Sequence, residues 1–235
     1  MIIILKNKIY LKFGYLFIFI IIFPILIFGE KYKVSFLGIP VVDVEITESV
    51  LPNNSIKILY HTKTNKYFYL FYKVDNYYEL ILDPDYKNIE FYKKKIDQKG
   101  FSQSYEVHFK NDSVYYSNGI KKMCRSPVQN ILGLIIELKY YDVEEINNVL
   151  IEHEGIFYKS NIQKVPERSN KLQTTYRIYT KNVRGKKVLK ETDIYSWKIV
   201  DSTAVREITY SNVEESIIEA RFKFGKLTLS AKMVE

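Results

Sequence analysis

The groups in this sequence that could do chemistry are three histidines, one cysteine and a scatter of carboxylates. The densest cluster is Glu152-His153-Glu154. Two carboxylates beside an imidazole could ligate a metal or share acid–base work. In a strand, however, His153 would face away from both glutamates, because successive side chains alternate. In a turn all three would be solvated. Phe157 stands at the fourth position after His153, so the H-E-x-x-H zinc pattern is absent. The cluster therefore reads as a surface turn. His61 and His108 fall on separate strands, with no acid at a telling spacing. No G-x-S-x-G elbow, P-loop or dinucleotide fingerprint is present. Carboxylates that could pair for glycoside hydrolysis cannot be matched by spacing alone. Cys124 is the sole cysteine, so it makes no internal bridge; it reads as a buried inert thiol, with an intermolecular disulfide as the alternative. No catalytic residue, metal or cofactor is assigned on these grounds.

The sequence speaks more clearly about compartment. Residues Phe13–Gly29, FGYLFIFIIIFPILIFG, carry no charge. Lys6, Lys8 and Lys12 precede them, and Glu30-Lys31-Tyr32-Lys33 ends the run. A positive segment followed by a compact apolar one has the build of a secretory leader. As a helix the run would span about 26 Å, slightly short of the ~30 Å hydrocarbon core. Pro24 would also interrupt it. We read residues 1–29 as a leader cleaved after Gly29, with an uncleaved membrane anchor as the alternative. Either reading exports residues 30–235 as one domain, in the periplasm or cell envelope. The expected mature chain keeps about 200 of the 235 residues, enough to bury a core without a disulfide or metal.

The formal charge is +8, three of it in the leader lysines. The clusters Lys93-Lys94-Lys95, Lys121-Lys122 and Lys186-Lys187 could meet anionic headgroups or acidic glycans, but read first as a solvated surface. An exported chain meets no nucleic acid.

Stepping through the elements, Tyr32–Val50 reads as one long strand interrupted by Gly38 and Pro40, a pair that marks a bulge or an edge. Ile56–Lys63, Tyr77–Asp83, Ile89–Ile96, Ser102–Phe109, Ser113–Tyr116 and Ile120–Arg125 follow, with turn residues between them every eight to twelve positions. That spacing predicts an antiparallel meander. Tyr67–Val74, YFYLFYKV, reads as a strand with Tyr67, Tyr69 and Phe71 on one face and Phe68, Leu70 and Tyr72 on the other. Large groups on both faces predict cover on both sides, so Tyr67, Tyr69 and Phe71, or their opposite-face neighbours, are the candidate ligand-binding residues. Asp75-Asn76 is the expected turn after it.

Helical spacing begins at Ser126 as N-cap and Pro127 as the first residue. Ile131, Leu134, Ile135 and Leu138 form the stripe, and the helix ends near Tyr140. Asp142–Asn147 adds a short helical turn. Val149–Glu152, Ile156–Lys164, Leu172–Thr180 and Lys187–Trp197 resume the strands, the last two as a hairpin across Arg184-Gly185. In Ser216–Met233 the apolar residues are even-numbered up to Phe224 and odd-numbered from Leu227. The switch falls at Gly225, read as a bulge in one long strand, with a tight turn as the alternative. The 21 tyrosines are strand formers first and a sugar platform second.

Two segments resemble a family of bacterial exported proteins, domain of unknown function 3108. Val34-Ser35-Phe36-Leu37-Gly38-Ile39-Pro40-Val41 is similar to its opening strand with a Gly-Ile-Pro step. Trp197, Asp201 and Arg206, followed by Phe224-Gly225-Lys226-Leu227, are similar to its closing segment. The resemblance implies an outline like periplasmic half-barrels that handle lipids or lipoproteins, and brings no catalytic residues.

The expectation is thus a mainly β, strongly bent antiparallel sheet, half-barrel or barrel-like, with one main α-helix packed against it. Its expected role is non-catalytic, holding a hydrophobic lipid or lipoprotein ligand, or an envelope partner protein, in the concavity. An envelope-glycan hydrolase and a purely structural interaction module are the alternatives.

Overall fold

A computed structural model describes residues 28–124, 127–146, 149–193 and 198–234. The apolar run up to residue 27, Ser126 and Trp197 lie outside them. The chain is mainly β, as its turn spacing predicts. Among the described residues, fifteen strands make one curved sheet: β1 (Phe28–Phe36), β2 (Ile39–Val50), β3 (Ile56–Thr64), β4 (Asp75–Leu82), β5 (Ile89–Gln98), β6 (Phe101–Lys110), β7 (Ser113–Tyr116), β8 (Lys121–Met123), β9 (Val128–Gln129), β10 (Leu150–His153), β11 (Ile156–Lys164), β12 (Gln173–Gly185), β13 (Val205–Ser211), β14 (Ile217–Phe224) and β15 (Leu227–Val234). Helix α1 (Ile131–Glu137) and the single turn α2 (Val143–Ile146) lie between β9 and β10.

The strand order is β8-β7-β6-β5-β4-β3-β2-β1-β15-β14-β13-β12-β11-β10-β9. Each strand pairs with its sequence neighbour, and β1 joins β15 to fuse two meanders into one sheet. All pairs are antiparallel except β9 with β10. So long a twisted sheet must curl. Its two edges come together without ladder bonds. Side chains link them instead: Tyr116 donates to Glu152 at 3.1 Å, Asn118 Nδ2 to the Val188 carbonyl at 2.9 Å, and Lys122 Nζ to the Gly155 carbonyl at 2.6 Å.

The concave side holds the core. Ile46, Ile58, Leu80, Tyr92 and Val107 come from one half of the sheet, and Ile151, Ile162, Ile178 and Ile208 from the other. Helix α1 lies inside. It is shorter than its stripe implies, because Val128–Gln129 pair with β10 before the helix begins. The N-cap is therefore Asn130, whose side chain accepts from the Leu132 N–H at 2.9 Å, and Pro127 precedes the helix.

Three strand expectations are corrected. Tyr32–Val50 is a hairpin, since Leu37 and Gly38 both have positive φ (50° and 82°) and Phe36 pairs with Ile39. The bulge that Pro40 signals is nevertheless there: Val34 pairs with Val42 and Ser35 with Pro40, which leaves Val41 extra. Arg184-Gly185 ends β12 rather than turning it, and β12 pairs with β13. Gly225 is a tight turn, not a bulge, because Phe224 pairs with Leu227. The parity switch is what a two-residue hairpin produces. Ala220 stands opposite Ala231 and Phe222 opposite Leu229, all on one face.

Two glycines should separate backbone strain from crowding. At Gly225 (φ 56°) a Cβ meets nothing within 4 Å, whereas at Gly185 (φ 104°) it would strike the Gly155 carbonyl. Gly225→Val should cost about 1–3 kcal/mol from conformation alone. Gly185→Ala should cost about 3 kcal/mol or more, because a paired strand must also move. Thermal melts should show drops of about 2–4 °C per kcal/mol in a chain this size; equal drops for both would refute the distinction.

Candidate functional site

Inside the curl, the short helix leaves space. The floor is set by two tyrosines on opposite walls: Tyr60 of β3 donates to the Leu132 carbonyl at 2.9 Å, and Tyr210 of β13 to the Ile135 carbonyl at 2.8 Å. The helix thus hangs across the concavity by its own carbonyls. Lys139 fixes its far end on β1 and β2 through Glu48 at 2.6 Å and Glu30 at 3.0 Å.

Above the helix lie two adjoining apolar chambers. The inner one, about 300 Å³, is bordered by Tyr32, Val44, Ile46, Tyr60, Ile131 and Leu132. The outer one, about 620 Å³, is bordered by Phe36, Phe68, Tyr72, Phe222, Phe224 and Leu227. Val34, Val42, Ile135, Ile208, Leu229 and Ala231 line both, so the two chambers share these walls. Hairpin geometry supplies these walls, since the inward positions of β14 and β15 are small or aliphatic near the middle and aromatic toward the turn.

A few polar groups border each chamber. His153, Asn76 and Asn130 touch the inner chamber; Lys198, Arg206 and Arg221 touch the outer. Arg206 is buried and bonded to carbonyls. Its guanidinium donates to Ile178 at 2.9 Å, Ala204 at 3.1 Å, Ile199 and Asp201, and to the Thr180 hydroxyl at 3.0 Å. Burial pulls its pKa down to about 10. This side chain ties residues 198–204 onto β12, a structural duty that accounts for the Asp201 and Arg206 pair noted in the sequence.

The expected ligand-binding residues are placed differently from the sequence reading. Tyr67–Val74 is not a strand: residues 66–71 form turns in the loop between β3 and β4, and Asp75-Asn76 begins β4 rather than turning into it. Too many adjacent aromatic groups of one size carry no period, so propensity alone misread the segment. Tyr67 and Tyr69 border a shallow outer hollow with Lys33, Asp43 and Lys63, and Phe71 is exposed. Their alternates Phe68 and Tyr72 are the ones that border the apolar cavity.

The Glu152-His153-Glu154 cluster is also corrected. It does turn, at Glu154-Gly155, but all three residues are buried rather than solvated. The loop of residues 186–193 lies over the turn, and Lys94 comes from β5 across the seam. Its ammonium, fully buried, bonds Glu154 and the Thr192 hydroxyl (3.1 Å) and stands 3.6 Å from Asp193. Glu152 accepts from Gly155 N–H at 2.7 Å and from Tyr116. Sequence spacing could not reveal a partner 60 positions away. Of the three, His153 borders the inner apolar chamber. Among the described residues, no three His, Cys, Asp or Glu groups converge as a metal-ligand set. His61, contrary to expectation, has an acid partner: Nε2 lies 2.8 Å from Asp75 while the ring stacks on Tyr77. Cys124 is buried beside Arg184, as the inert-thiol reading expects.

Burial raises the Glu152 pKa to about 7 and lowers that of His153 to about 4. The signs oppose. The glutamate holds its proton longer in the fold than unfolded, so its contribution falls as pH rises from about 4.5 to 7. The histidine holds its proton less, so its contribution rises from about pH 4 to 6.5. Glu152→Gln should therefore raise Tm at pH 8, lose that advantage by pH 5, and leave a steeper acid limb from His153. A Tm difference that does not change between pH 5 and 8 would refute the assignment.

No protein-family profile matches the sequence, and no curated protein matches it. A solved structure does: the beta-barrel-like protein of domain of unknown function 1849 from Brucella abortus, with TM-score 0.54 and 8% identity over 88% of this chain and 95% of that one. At that identity the likeness is one of fold, and it places this chain among barrel-like β proteins.

Proposed function

We propose that the protein is a non-catalytic exported envelope protein that holds an acyl chain or similar apolar ligand inside its open barrel. The observation that carries this is the pair of adjoining apolar chambers left between α1 and β1, β2, β14 and β15. Chambers of about 300 and 620 Å³ fall in the size range of small-molecule sites. An apolar space of this kind gains about 0.8 kcal/mol for each methylene it takes from water. The charged groups bordering it, Lys198, Arg206 and Arg221, are all cationic and lie on the outer chamber. An amphiphile would therefore enter tail first and leave an acidic head outside. The uncharged run Phe13–Gly29 supports export. The terminal resemblance to domain of unknown function 3108 supports a lipid-handling half-barrel.

Native mass spectrometry of protein purified from its own envelope should show bound lipid. Ala231, which borders both chambers, provides the control. Ala231→Trp should fill the space, weaken a fluorescent fatty acid at least about tenfold, and leave the melting temperature within a few degrees. Unchanged fatty-acid binding in that variant would refute the cavity as the site.

A further inference from the structure

The end of the barrel at which the cavity opens carries its own surface chemistry. The register places three connections there: the Leu37-Gly38 turn, the loop after Thr64, and the Gly225-Lys226 turn. Phe36 pairs with Leu229, Val42 with Thr64, and Phe224 with Leu227. These connections expose large apolar groups to an unusual degree. Leu70 is 84% exposed, Leu37 76%, Phe71 75% and Tyr67 72%, with Ile39 and Tyr69 beside them. Soluble surfaces rarely gather so many apolar tips at one place, and such a patch marks a site of association.

The charges around the patch choose the partner. Lys66 and Lys226 lie in the loops themselves, and Lys99 follows on the neighbouring β5–β6 turn beside Val74. None of the three makes an ion pair with a described residue, and Lys73 pairs with Asp97 at 2.5 Å. No carboxylate occurs in the 65–73 loop or in the 37–38, 99–100 and 225–226 turns. Apolar tips ringed by free lysines, with tyrosines between, match an anionic bilayer: the tips enter the acyl boundary, the tyrosines sit at headgroup depth and the lysines meet the phosphates. A protein partner would need carboxylates aligned to each lysine, whereas an anionic lipid surface supplies negative charge everywhere. We propose that the open end of the barrel docks on an anionic lipid surface through Leu37, Tyr67, Leu70 and Phe71. The contact uses the outside of the loops and does not depend on what the cavity holds.

The test reads the loop itself, so that an N-terminal anchor cannot imitate it. Full-length Leu70→Trp protein is mixed with phosphatidylcholine vesicles with or without 30% phosphatidylglycerol, brominated along the acyl chains. The added tryptophan fluorescence should shift to the blue and be quenched on the anionic vesicles, with binding on the order of tenfold or more tighter than on neutral ones. Added salt should weaken it. Combining Lys66→Glu with Lys226→Glu should remove the preference while fatty-acid binding in the cavity and the melting temperature persist. Absence of quenching on anionic vesicles, or equal quenching on neutral ones, would overturn the proposal. So would concentration-dependent self-association in sedimentation velocity that is lost on Leu70→Glu, since the patch would then belong to a second copy. Loss of fatty-acid binding with vesicle docking retained would count against the cavity reading alone.

Discussion

Tyr60 and Tyr210 reach from facing walls and hold a seven-residue helix by two of its carbonyls. Much of the interior depends on this suspension. A helix that short is marginal alone, and its C-terminal carbonyls need donors. Tyr210 supplies one, at Ile135 in the last turn, Tyr60 bonds Leu132 in the first, and by reaching inward the two hold the walls apart at phenol length. The walls cannot collapse on the helix, and the helix cannot fill what lies above it. An apolar space follows from that geometry without any residue being dedicated to lining it. Filling the space with larger side chains would stabilise the fold, so the cavity is a departure from maximal packing.

The second constraint is the seam. A closed barrel satisfies its edges by hydrogen bonds all round; this one leaves its edge strands β8 and β9 unjoined, and side chains link β7 and β8 to the β10–β11 hairpin instead. Lys94 shows the character of the join. A fully buried ammonium is tolerable only when it is paired and hydrogen-bonded, and Glu154, Thr192 and Asp193 surround it. Such a contact adds little net stability over an apolar one, but it works at a single register. It fixes where the 186–193 loop lies and which strands face each other across the gap.

Legibility followed periodicity. The meander, the turn residues that space its strands, and the apolar stripe of α1 are all readable, because each rests on local pattern. The parity switch at Gly225 was visible too, yet a hairpin and a bulge give the same alternation, and only the pairing of Phe224 with Leu227 distinguishes them. The YFYLFYKV run failed for the opposite reason. Its tyrosines and phenylalanines favour strands wherever they stand, and although Asn65 marks a turn, the pattern gives no sign that turning continues through residues 66–71, where Phe68 N–H bonds back to the Asn65 carbonyl at 2.9 Å. The cavity was anticipated from that run and exists beside it, but the residues facing it are Phe68 and Tyr72. Burial of Glu152, His153 and Glu154 was not legible, because solvation of a turn depends on what crosses it. Here that is Lys94 from one side and residues 186–193 from the other, both distant in sequence.

Two buried cations then divide the rim between a sealed side and an open one. Lys94 binds the 186–193 loop over the β10–β11 turn, and Arg206 binds residues 198–204 against β12 through four carbonyls and a hydroxyl. The residue types fit the tasks. A lysine offers a compact charge to a carboxylate pair, whereas the five donors of a guanidinium can satisfy several carbonyls of an irregular segment at once. No buried cation fastens the Leu37, Leu70 and Gly225 connections among the described residues; the Leu70 loop is tied at its end, where Lys73 pairs with Asp97 and its carbonyl accepts from Lys99 N–H, and Lys198 stands over the Phe224 ring. The rim is therefore firm where polar groups are buried and loosely held where apolar groups are exposed. Local opening favours segments with few buried contacts, so the cavity is most easily widened between Phe68, Phe36 and Phe224. Those side chains border the outer chamber, and an acyl chain passing them would meet aromatic faces at the mouth and aliphatic side chains such as Val34, Val42 and Leu229 nearer the helix.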